Sequence, residues 1–408
     1  MKRVVVTGMA GISPIGQGWP AVKQALQARR SGIAYMGDWD KYEGLETRLG
    51  APVRDFEKPA HYNRKRVRSM GRVSLMAVRA TELALEEAGL LDDSILKSGA
   101  TGVAYGSSAG TPAAIGDFGN MLINHRTDGL NATSYIKMMA HTTAVNIGVF
   151  FGLCGRVYTT SSACTSGSQG IGYAYEAIRN GSQTVMVAGG AEELCATEAA
   201  VFDTLFATST RNHAPGTTPR PFDRGRDGLV IGEGAGTLVL EEYEHALARG
   251  ARIHAEIVGF GTNSDGAHVT QPQSPTMQIA LQQALDQADI DGAEVGYISA
   301  HGTATDRGDV AESHATRGAF GRAVPISSMK SYTGHTLGAC GALEAWASIQ
   351  MMRDGWFHPT INLEQLDPDC AELDYIDGDG REIDTEYVMS NNFAFGGINT
   401  SLIFKRCD

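Results

Sequence analysis

The chain opens with an apolar strand and a glycine turn, and the same pattern returns after residue 255. Val4–Val6 form the predicted first strand, followed by a turn predicted at Gly8-Met-Ala-Gly11. Ile257-Val-Gly-Phe-Gly-Thr-Asn263 has a similar order of apolar residues and glycines. A repeated order of elements favours folds that are built from two similar units.

A second repeated feature joins the end of a strand to the start of a helix. Tyr158–Cys164 leads through small residues into a helix, and Pro325–His335 leads into a helix at Leu337–Met352 in the same way. A βαβ-rich unit used twice, with parallel strands covered by helices, accounts for this order. No long linker divides the chain, so residues 1–255 and 256–408 are predicted to be two halves of one compact α/β body.

Hydrophobic periodicity predicts the other main elements. The predicted strands are Gly102–Tyr105, Thr184–Ala188 (ending in Gly189-Gly190-Ala191), Leu229–Glu241 and Val295–Ser299, and the predicted helices are Trp19–Ala28, Ala77–Gly89 and Gln278–Ala288.

The composition argues against several classes of function. The formal charge of −12 argues against a nucleic-acid partner. The six cysteines have no CxxC spacing, which indicates neither a zinc site nor a disulfide framework, so no metal and a reducing compartment are expected. The least charged long window, Met138–Gly155, is too polar for a membrane span. We therefore expect a cytoplasmic protein without membrane contact.

Cys164 stands at the predicted corner between strand and helix. A thiol at a helix N-terminus lies at the positive end of the helix dipole and beside free amide N–H groups, which favour the thiolate. Its small neighbours Ser162, Ala163 and Gly167 allow a sharp turn that would present the sulfur. The alternative is a buried cysteine that packs as a small hydrophobe. Two histidine motifs downstream favour the nucleophile.

Two histidines occupy similar positions in the second half. His301 follows the Val295–Ser299 strand, and His335 precedes the helix rich in Gly and Ala. Both lie where strands end, the place where open α/β sheets build sites. A structural or surface role is the alternative for each. Neutral imidazoles there can donate hydrogen bonds to a carbonyl oxygen that becomes an enolate, which suits carbon–carbon chemistry better than hydrolysis.

Three further groups leave their roles open on the residues alone. Lys330 and Glu344 can form a pair that sets the local charge, or a surface ion pair of little consequence. The Gly-Gly turn in Ser390–Asn399 offers backbone N–H groups for an oxyanion hole, or it is a tight turn packed with phenylalanines. The basic cluster His61–Arg72 is either a solvated helix face or a docking patch for an acidic partner.

Four motifs resemble those of the β-ketoacyl-acyl carrier protein synthases of the Cys-His-His type (I and II), which are thiolase-like condensing enzymes. They are Ser162-Ala-Cys164-Thr-Ser-Gly, His301-Gly-Thr-Ala-Thr305, Lys330-Ser-Tyr-Thr-Gly-His335 and Asn392-Phe-Ala-Phe395-Gly-Gly-Ile-Asn399. They follow the family's order and spacing nearly end to end. The resemblance implies a thiolase-like duplicated five-layered αβαβα fold. It also implies a decarboxylative Claisen condensation with malonyl-carrier that extends a fatty acid, polyketide or aryl-polyene chain.

The resemblance also implies the roles of the motif residues. Cys164 would accept the acyl group, and the N–H groups of Cys164 and Phe395 would hold the oxyanion. His301 and His335 would stabilise the enolate formed on loss of CO2. Lys330, braced by Glu344, would tune the two histidines. Phe395 would gate access to the site.

The resemblance implies how substrates arrive. They would travel on the phosphopantetheine arm of an acyl carrier protein, which Thr303 and Thr305 would bind, and no other cofactor is implied. Lys65 and Arg68 fall where related enzymes receive this acidic carrier, which favours docking over a merely solvated face. The residues expected to line the substrate pocket are Ala109, Phe202, Phe393 and His268. A homodimer is expected, and a heterodimer with a paralogue is the alternative.

The chain departs from the family pattern at several positions. Ala109 replaces a bulkier aliphatic residue, and Thr305-Asp306-Arg307 replaces the usual Thr-Pro. These changes bear on the acyl substrate rather than the reaction and are compatible with a specialised pathway. Among the rivals, a cysteine protease would need a Cys-Gly-Ser-Cys-Trp motif that is absent. A non-condensing, chain-length-factor-like partner subunit would lack the nucleophile that Cys164 provides.

Overall fold

The computed structural model describes residues 1–407 of the chain. Its helices are α1 Trp19–Gln27, α2 Arg64–Val67, α3 Arg72–Glu87, α4 Pro112–Asn124, α5 Ala132–Met138, α6 Thr142–Phe151, α7 Ser166–Arg179, α8 Ala196–Asp203, α9 Tyr243–Ala248, α10 Ser274–Ala288, α11 Asp306–Phe320, α12 Lys330–Thr333 and α13 Cys340–Asp354.

The structure also contains 17 strands within residues 1–407. They are β1 Val4–Ser13, β2 Gly16–Gln17, β3 Ala34–Tyr35, β4 Leu49–Ala51, β5 Thr101–Gly106, β6 Val157–Thr160, β7 Val185–Glu192, β8 Ile231–Gly232, β9 Gly234–Glu242, β10 Ala255–Ser264, β11 Val295–Ser299, β12 Pro325–Ser327, β13 Trp356–Phe357, β14 Asp374–Tyr375, β15 Arg381–Glu382, β16 Tyr387–Ala394 and β17 Ile398–Arg406.

The predicted duplication appears in the strand order. The first half contributes β1-β9-β7-β5-β6 and the second contributes β10-β17-β16-β11-β12, with β14 outside β12. In each set the first two pairings are antiparallel and the next two are parallel. The two repeated strands join the halves directly, since β1 pairs antiparallel with β10 from Val4↔Ile257 to Val6↔Ala255.

Helices fill the spaces on both sides of each set of strands. α3 and α6 pack on the outer face of the first set, and α10 packs on that of the second with α11 against it. α7 and α13 lie between the two sets and share one large core. The order helix, sheet, helix, sheet, helix is the predicted five-layered thiolase-like architecture, and it places the N-termini of both central helices close together.

Three strand predictions were wrong in detail. The glycines at 8 and 11 do not end the first strand, because β1 continues to Ser13 with a register shift between Val6 and Gly8. A side chain at Gly8 would overlap the carbonyl oxygen of Ala84 in α3, so this glycine permits close helix packing and not a turn. Likewise β7 does not end at Ala188 but runs to Glu192. The strands of each half are mixed, and not all parallel as predicted.

Within residues 1–407, no helix combines the length and apolar character that crossing a membrane would require.

Candidate active site

Cys164 lies at the corner between β6 and α7, as predicted. Ala163 adopts the left-handed conformation with φ 51°, which turns the chain sharply before the helix begins at Ser166. The Ser166 hydroxyl donates to the Ala163 carbonyl at 2.7 Å and accepts from the Ser162 N–H at 3.0 Å. These bonds lock the corner, so the position of the sulfur is set by the backbone and its small side chains.

The thiol is buried, and this overturns the expectation of a stabilised thiolate. Burial raises the pKa of Cys164 to about 11, and the Glu192 charge adds to it. The Lys330 charge and hydrogen bonds from the amides of Phe395 and Cys164 itself oppose that shift without cancelling it. The helix dipole therefore does not decide the ionisation, because the cost of removing a thiolate from water is larger. At neutral pH the thiol is therefore neutral.

The alkylation rate of Cys164 should reflect this pKa. We expect its rate with iodoacetamide to rise about tenfold per pH unit from pH 7 to 10, because the thiolate fraction grows by that factor below the pKa. Peptide mass spectrometry would follow this residue apart from the other five cysteines. A rate that levels off near pH 8 would contradict the raised pKa.

His335 faces the sulfur directly. Its Nε2 lies 2.9 Å from Cys164 Sγ, and its Nδ1 accepts the Leu337 N–H at 3.3 Å. Burial and then the Lys330 charge lower the pKa of His335 well below its ordinary value, so the ring is neutral. Because Nδ1 is an acceptor, the single ring proton resides on Nε2 and points at the sulfur.

The His301 ring lies beside the His335 ring. The two ring centroids are 5.1 Å apart, and the rings are edge to face. The Asn392 side-chain amide approaches His301 Nδ1 at 3.3 Å and also donates to Glu344 Oε2 at 2.7 Å. The bond to Glu344 identifies the Asn392 nitrogen as the atom facing His301, so this ring too carries its proton on Nε2. Burial, the Lys330 charge and His335 all lower the pKa of His301.

Lys330 and Glu344 form a buried ion pair and not a surface one. Lys330 Nζ lies 2.5 Å from Glu344 Oε1, with side chains 1% and 3% exposed. Burial is the largest single influence and would lower the pKa of Lys330, but the charge and hydrogen bond of Glu344, together with Cys340 and Glu312, raise it overall, so the ammonium keeps its proton. The thiol and the two imidazoles have donor atoms within 4.8 Å of one another, as in a metal site. The adjacent ammonium opposes a cation there, and burial together with the ammonium charge keeps both rings neutral.

The structure also contains supports that the sequence patterns did not single out. Glu312 in α11 accepts the backbone N–H groups of His301 and Gly302, each at 2.7 Å. Asp309 accepts the Ala304 N–H at 3.1 Å in the same loop. Two acidic residues in the first turns of a helix that directly follows a histidine were the available signal. They hold the His301 loop against α11.

A second carboxylate supports the other side of the site. Glu192, fully buried at the end of β7, accepts from the Ser107 hydroxyl at 2.8 Å, the Ser108 N–H at 2.7 Å and the Gly338 N–H at 3.0 Å. It thereby ties the loop after β5 to the turn that follows His335. Ala109 lies in that loop but does not line the main cavity of the chain. Its predicted role in the substrate pocket stays a prediction.

The main cavity has a volume of about 620 Å³ and reaches Cys164, His301 and His335. The other predicted site residues on its wall are Thr303, Thr305, Phe202, Phe393, Phe395 and His268. The Thr303 and Thr305 hydroxyls lie 2.9 Å apart, and the rings of Phe202 and Phe395 are 5.1 Å apart. His268 is exposed and lies at the mouth, so it is not deep in the pocket.

The basic cluster is only partly free for a partner. Arg72 pairs with Glu233 at 2.7 Å, His61 contacts Glu82 at 2.8 Å, and Arg66 lies 3.7 Å over the Phe150 ring. Lys65 and Arg68 are exposed and form no ion pair with residues 1–407. These two predicted docking residues are therefore available for a partner.

Comparison with known proteins identifies the family. The beta-ketoacyl synthase N-terminal domain matches residues 1–246, and the C-terminal domain matches residues 254–364. The chain is 38% identical over 413 residues to the 3-oxoacyl-[acyl-carrier-protein] synthase 2 of Vibrio harveyi, covering 99% of each protein. This chain belongs to the beta-ketoacyl synthase family. As a family member it is a condensing enzyme of the acyltransferase class.

Solved ketoacyl synthase structures share the whole fold. A beta-ketoacyl synthase from Burkholderia phymatum STM815 superimposes with a TM-score of 0.99 at 61% identity, with both chains fully covered. The ishigamide ketosynthase/chain length factor superimposes with a TM-score of 0.91 at 34% identity, again over both full chains. The synthase fold described above therefore extends over the whole described chain.

Proposed function

We propose that this condensing enzyme joins an acyl group held on Cys164 to a malonyl unit with loss of CO2. The observation that carries the proposal is the convergence of three N–H donors on one sulfur, with the second imidazole within 4.8 Å. The donors are the Nε2–H of His335 and the amides of Cys164 and Phe395, and His301 lies beside them. Fixed donors around a thiol, with a second neutral imidazole beside them, suit acyl transfer followed by enolate chemistry, in which negative charge develops on oxygen twice.

In the first proposed step the sulfur of Cys164 attacks the carbonyl carbon of an acyl thioester. The amides of Cys164 and Phe395, which already reach the sulfur, would receive the oxyanion. The donor thiol then leaves with the proton that the Cys164 thiol releases. Because the free thiol is neutral, substrate binding must favour its ionisation at the moment of attack, and the Nε2–H of His335 stabilises the developing charge.

In the second proposed step a malonyl thioester loses CO2 beside the acyl-cysteine. Its thioester oxygen would accept the Nε2–H groups of both histidines, which stabilises the enolate. The enolate carbon then attacks the carbonyl carbon of the acyl-cysteine, the C–S bond breaks, and Cys164 leaves as a thiolate that takes up a proton from water. No resident cofactor is needed in this scheme, since the substrates travel on phosphopantetheine.

Replacing each histidine in turn should separate the two steps. In His301→Ala the condensation rate should fall about 10²- to 10³-fold, because one donor to the enolate is lost. Its acylation should stay within a few-fold of normal, because His335 still faces the sulfur. His335→Ala should slow both steps. Intact mass would measure acylation, and ketoacyl product would measure condensation. An unchanged condensation rate in His301→Ala would contradict the assignment.

The proposed carrier of both substrates is an acyl carrier protein. Support comes from the exposed, unpaired Lys65 and Arg68 and from the hydroxyls of Thr303 and Thr305 along the cavity. A cavity that reaches a buried sulfur suits substrates carried on a long, thin arm.

We further propose a homodimer, with a paralogous partner as the alternative. The outer edge of β6 has no strand beside it within residues 1–407, and Val157 on it is half-exposed. An unpaired edge of this kind can pair with a second copy. Light scattering of the purified chain at several concentrations would test it, and a monomer throughout would contradict it.

A further inference from the structure

A single aromatic side chain projects into solvent at the mouth of the main cavity. Phe206 is 95% exposed, the highest value for any large aromatic residue among residues 1–407. It follows α8, the helix whose Phe202 lines the same cavity. Isolated exposed apolar residues are common, but near-complete exposure of a phenylalanine at a site mouth calls for an explanation.

The backbone at Phe206 is in a conformation that normally favours glycine. The Phe206 N–H donates to Asp203 O at 2.9 Å, and the Ala207 N–H donates to Phe202 O at 3.0 Å. These two bonds form a Schellman motif, in which the residue at the Phe206 position is left-handed and usually Gly or Asn. Phe206 has φ 54°. A bulky residue there is a backbone outlier, and such outliers occur preferentially at functional sites.

The loop that carries Phe206 is firmly anchored. The Asp203 carboxylate accepts the Glu46 N–H and the Thr208 hydroxyl, both at 2.7 Å. These hydrogen bonds hold the backbone at Phe206 in place. Its side chain nevertheless packs little against the protein interior.

Other apolar side chains continue this surface around the mouth. Leu205 is 45% exposed beside Phe206, and Val269 is 66% exposed on the loop that precedes α10. All three line the cavity, as do the exposed Asp306 and Arg307, and Arg307 forms no ion pair within residues 1–407. The exposed apolar side chains of this rim are complementary to a partner that presents apolar groups at the mouth.

We propose that Phe206 is an apolar contact for the body of the acyl carrier protein, distinct from the basic patch at Lys65 and Arg68. This inference rests on the proposed function. A carrier whose arm reaches Cys164 must place its own surface at the mouth of the cavity, where Phe206 projects. An exposed aromatic on a fixed support loses little conformational entropy on binding, so it suits this role.

The test uses a bacterial acyl carrier protein in its apo form, without the phosphopantetheine arm. We expect Phe206→Gly to raise the Kd for this probe about tenfold, as for loss of an aromatic contact of moderate strength. Its Tm should be unchanged or higher, because glycine is favoured at this position. Phe206→Asn should behave alike, since Asn is the other residue type found there. Leu247→Ser, an exposed apolar position on α9 away from the cavity, is the matched control and should bind normally.

Transfer assays separate this inference from the proposed function. The rate ratio of hexanoyl-carrier to hexanoyl-pantetheine as acyl donors should fall about tenfold in Phe206→Gly. An equal loss with both donors, an unchanged Kd, or a wild type without affinity for the apo-carrier would each overturn the inference. So would a changed oligomeric state in the variant, which would assign Phe206 to a second copy. If the wild type accepts an acyl group from neither donor, the proposed function itself fails.

Discussion

Cys164→Ala should abolish formation of the acyl-enzyme. We expect the rate of acyl transfer to fall about 10³-fold or more, because the histidines and amides can stabilise an oxyanion but cannot form the thioester bond. The measurement is the intact mass after exposure to an acyl-carrier thioester. Wild type should gain one acyl group, and the variant should gain none.

The same variant should retain a different part of the reaction. Loss of CO2 from malonyl-carrier needs the Nε2–H donors of His301 and His335, which the variant keeps, so CO2 release should remain within about tenfold of normal. Cys154→Ala, which removes an exposed thiol, is the control and should acylate normally. An acyl adduct on Cys164→Ala would assign the nucleophile to another residue, and wild-type protein without any adduct would favour a non-condensing partner subunit.

Lys330→Met should be strongly destabilising. It leaves the Glu344 carboxylate buried without its ammonium partner, and breaking a buried pair in this way costs about 3–5 kcal/mol. Denaturant unfolding would measure the loss as a fall in the free energy of unfolding.

Two comparisons make that prediction specific. Lys330→Met combined with Glu344→Gln should recover most of the stability, because no unpaired charge remains and the Gln oxygen can still accept from Asn392. Lys405→Met removes an exposed partner of Glu386 at 3.1 Å and should cost less than about 1 kcal/mol. Equal losses for Lys330→Met and Lys405→Met would show that burial of the pair does not matter.

The sequence was informative where the signal is local. The strand, small-residue turn and helix around Cys164 are determined by neighbouring residues, and the structure confirms the corner. The repeated strand at Ile257 correctly predicted the duplication. The adjacency of Cys164 and His335 could not be obtained from spacing, because it arises where α7 and α13 meet between two sheets. The family resemblance, and not periodicity, placed them in one site.

The errors have physical causes. The thiolate prediction used the helix dipole, which is local, and neglected burial, which depends on the whole fold. The turn predicted at Gly8 mistook close packing against α3 for a change of direction. Asn392 and Glu192 were missed as site residues because they act through ring nitrogens and amides that are distant in the chain. Asn392 belongs to one of the four motifs, but no local pattern shows which distant atoms these side chains contact.

The position of α7 and α13 between the two sheets has a consequence for synthesis on the ribosome. The inner face of the first half is complete once α7 has been synthesised. The helix that covers this face, α13, is complete only when Asp354 has been added. At roughly 5–20 residues per second, that face waits about 10–40 s for its partner layer. During this interval the nascent chain exposes the apolar surface that later surrounds the nucleophile, so a chaperone that shields the first half would protect both the fold and the thiol.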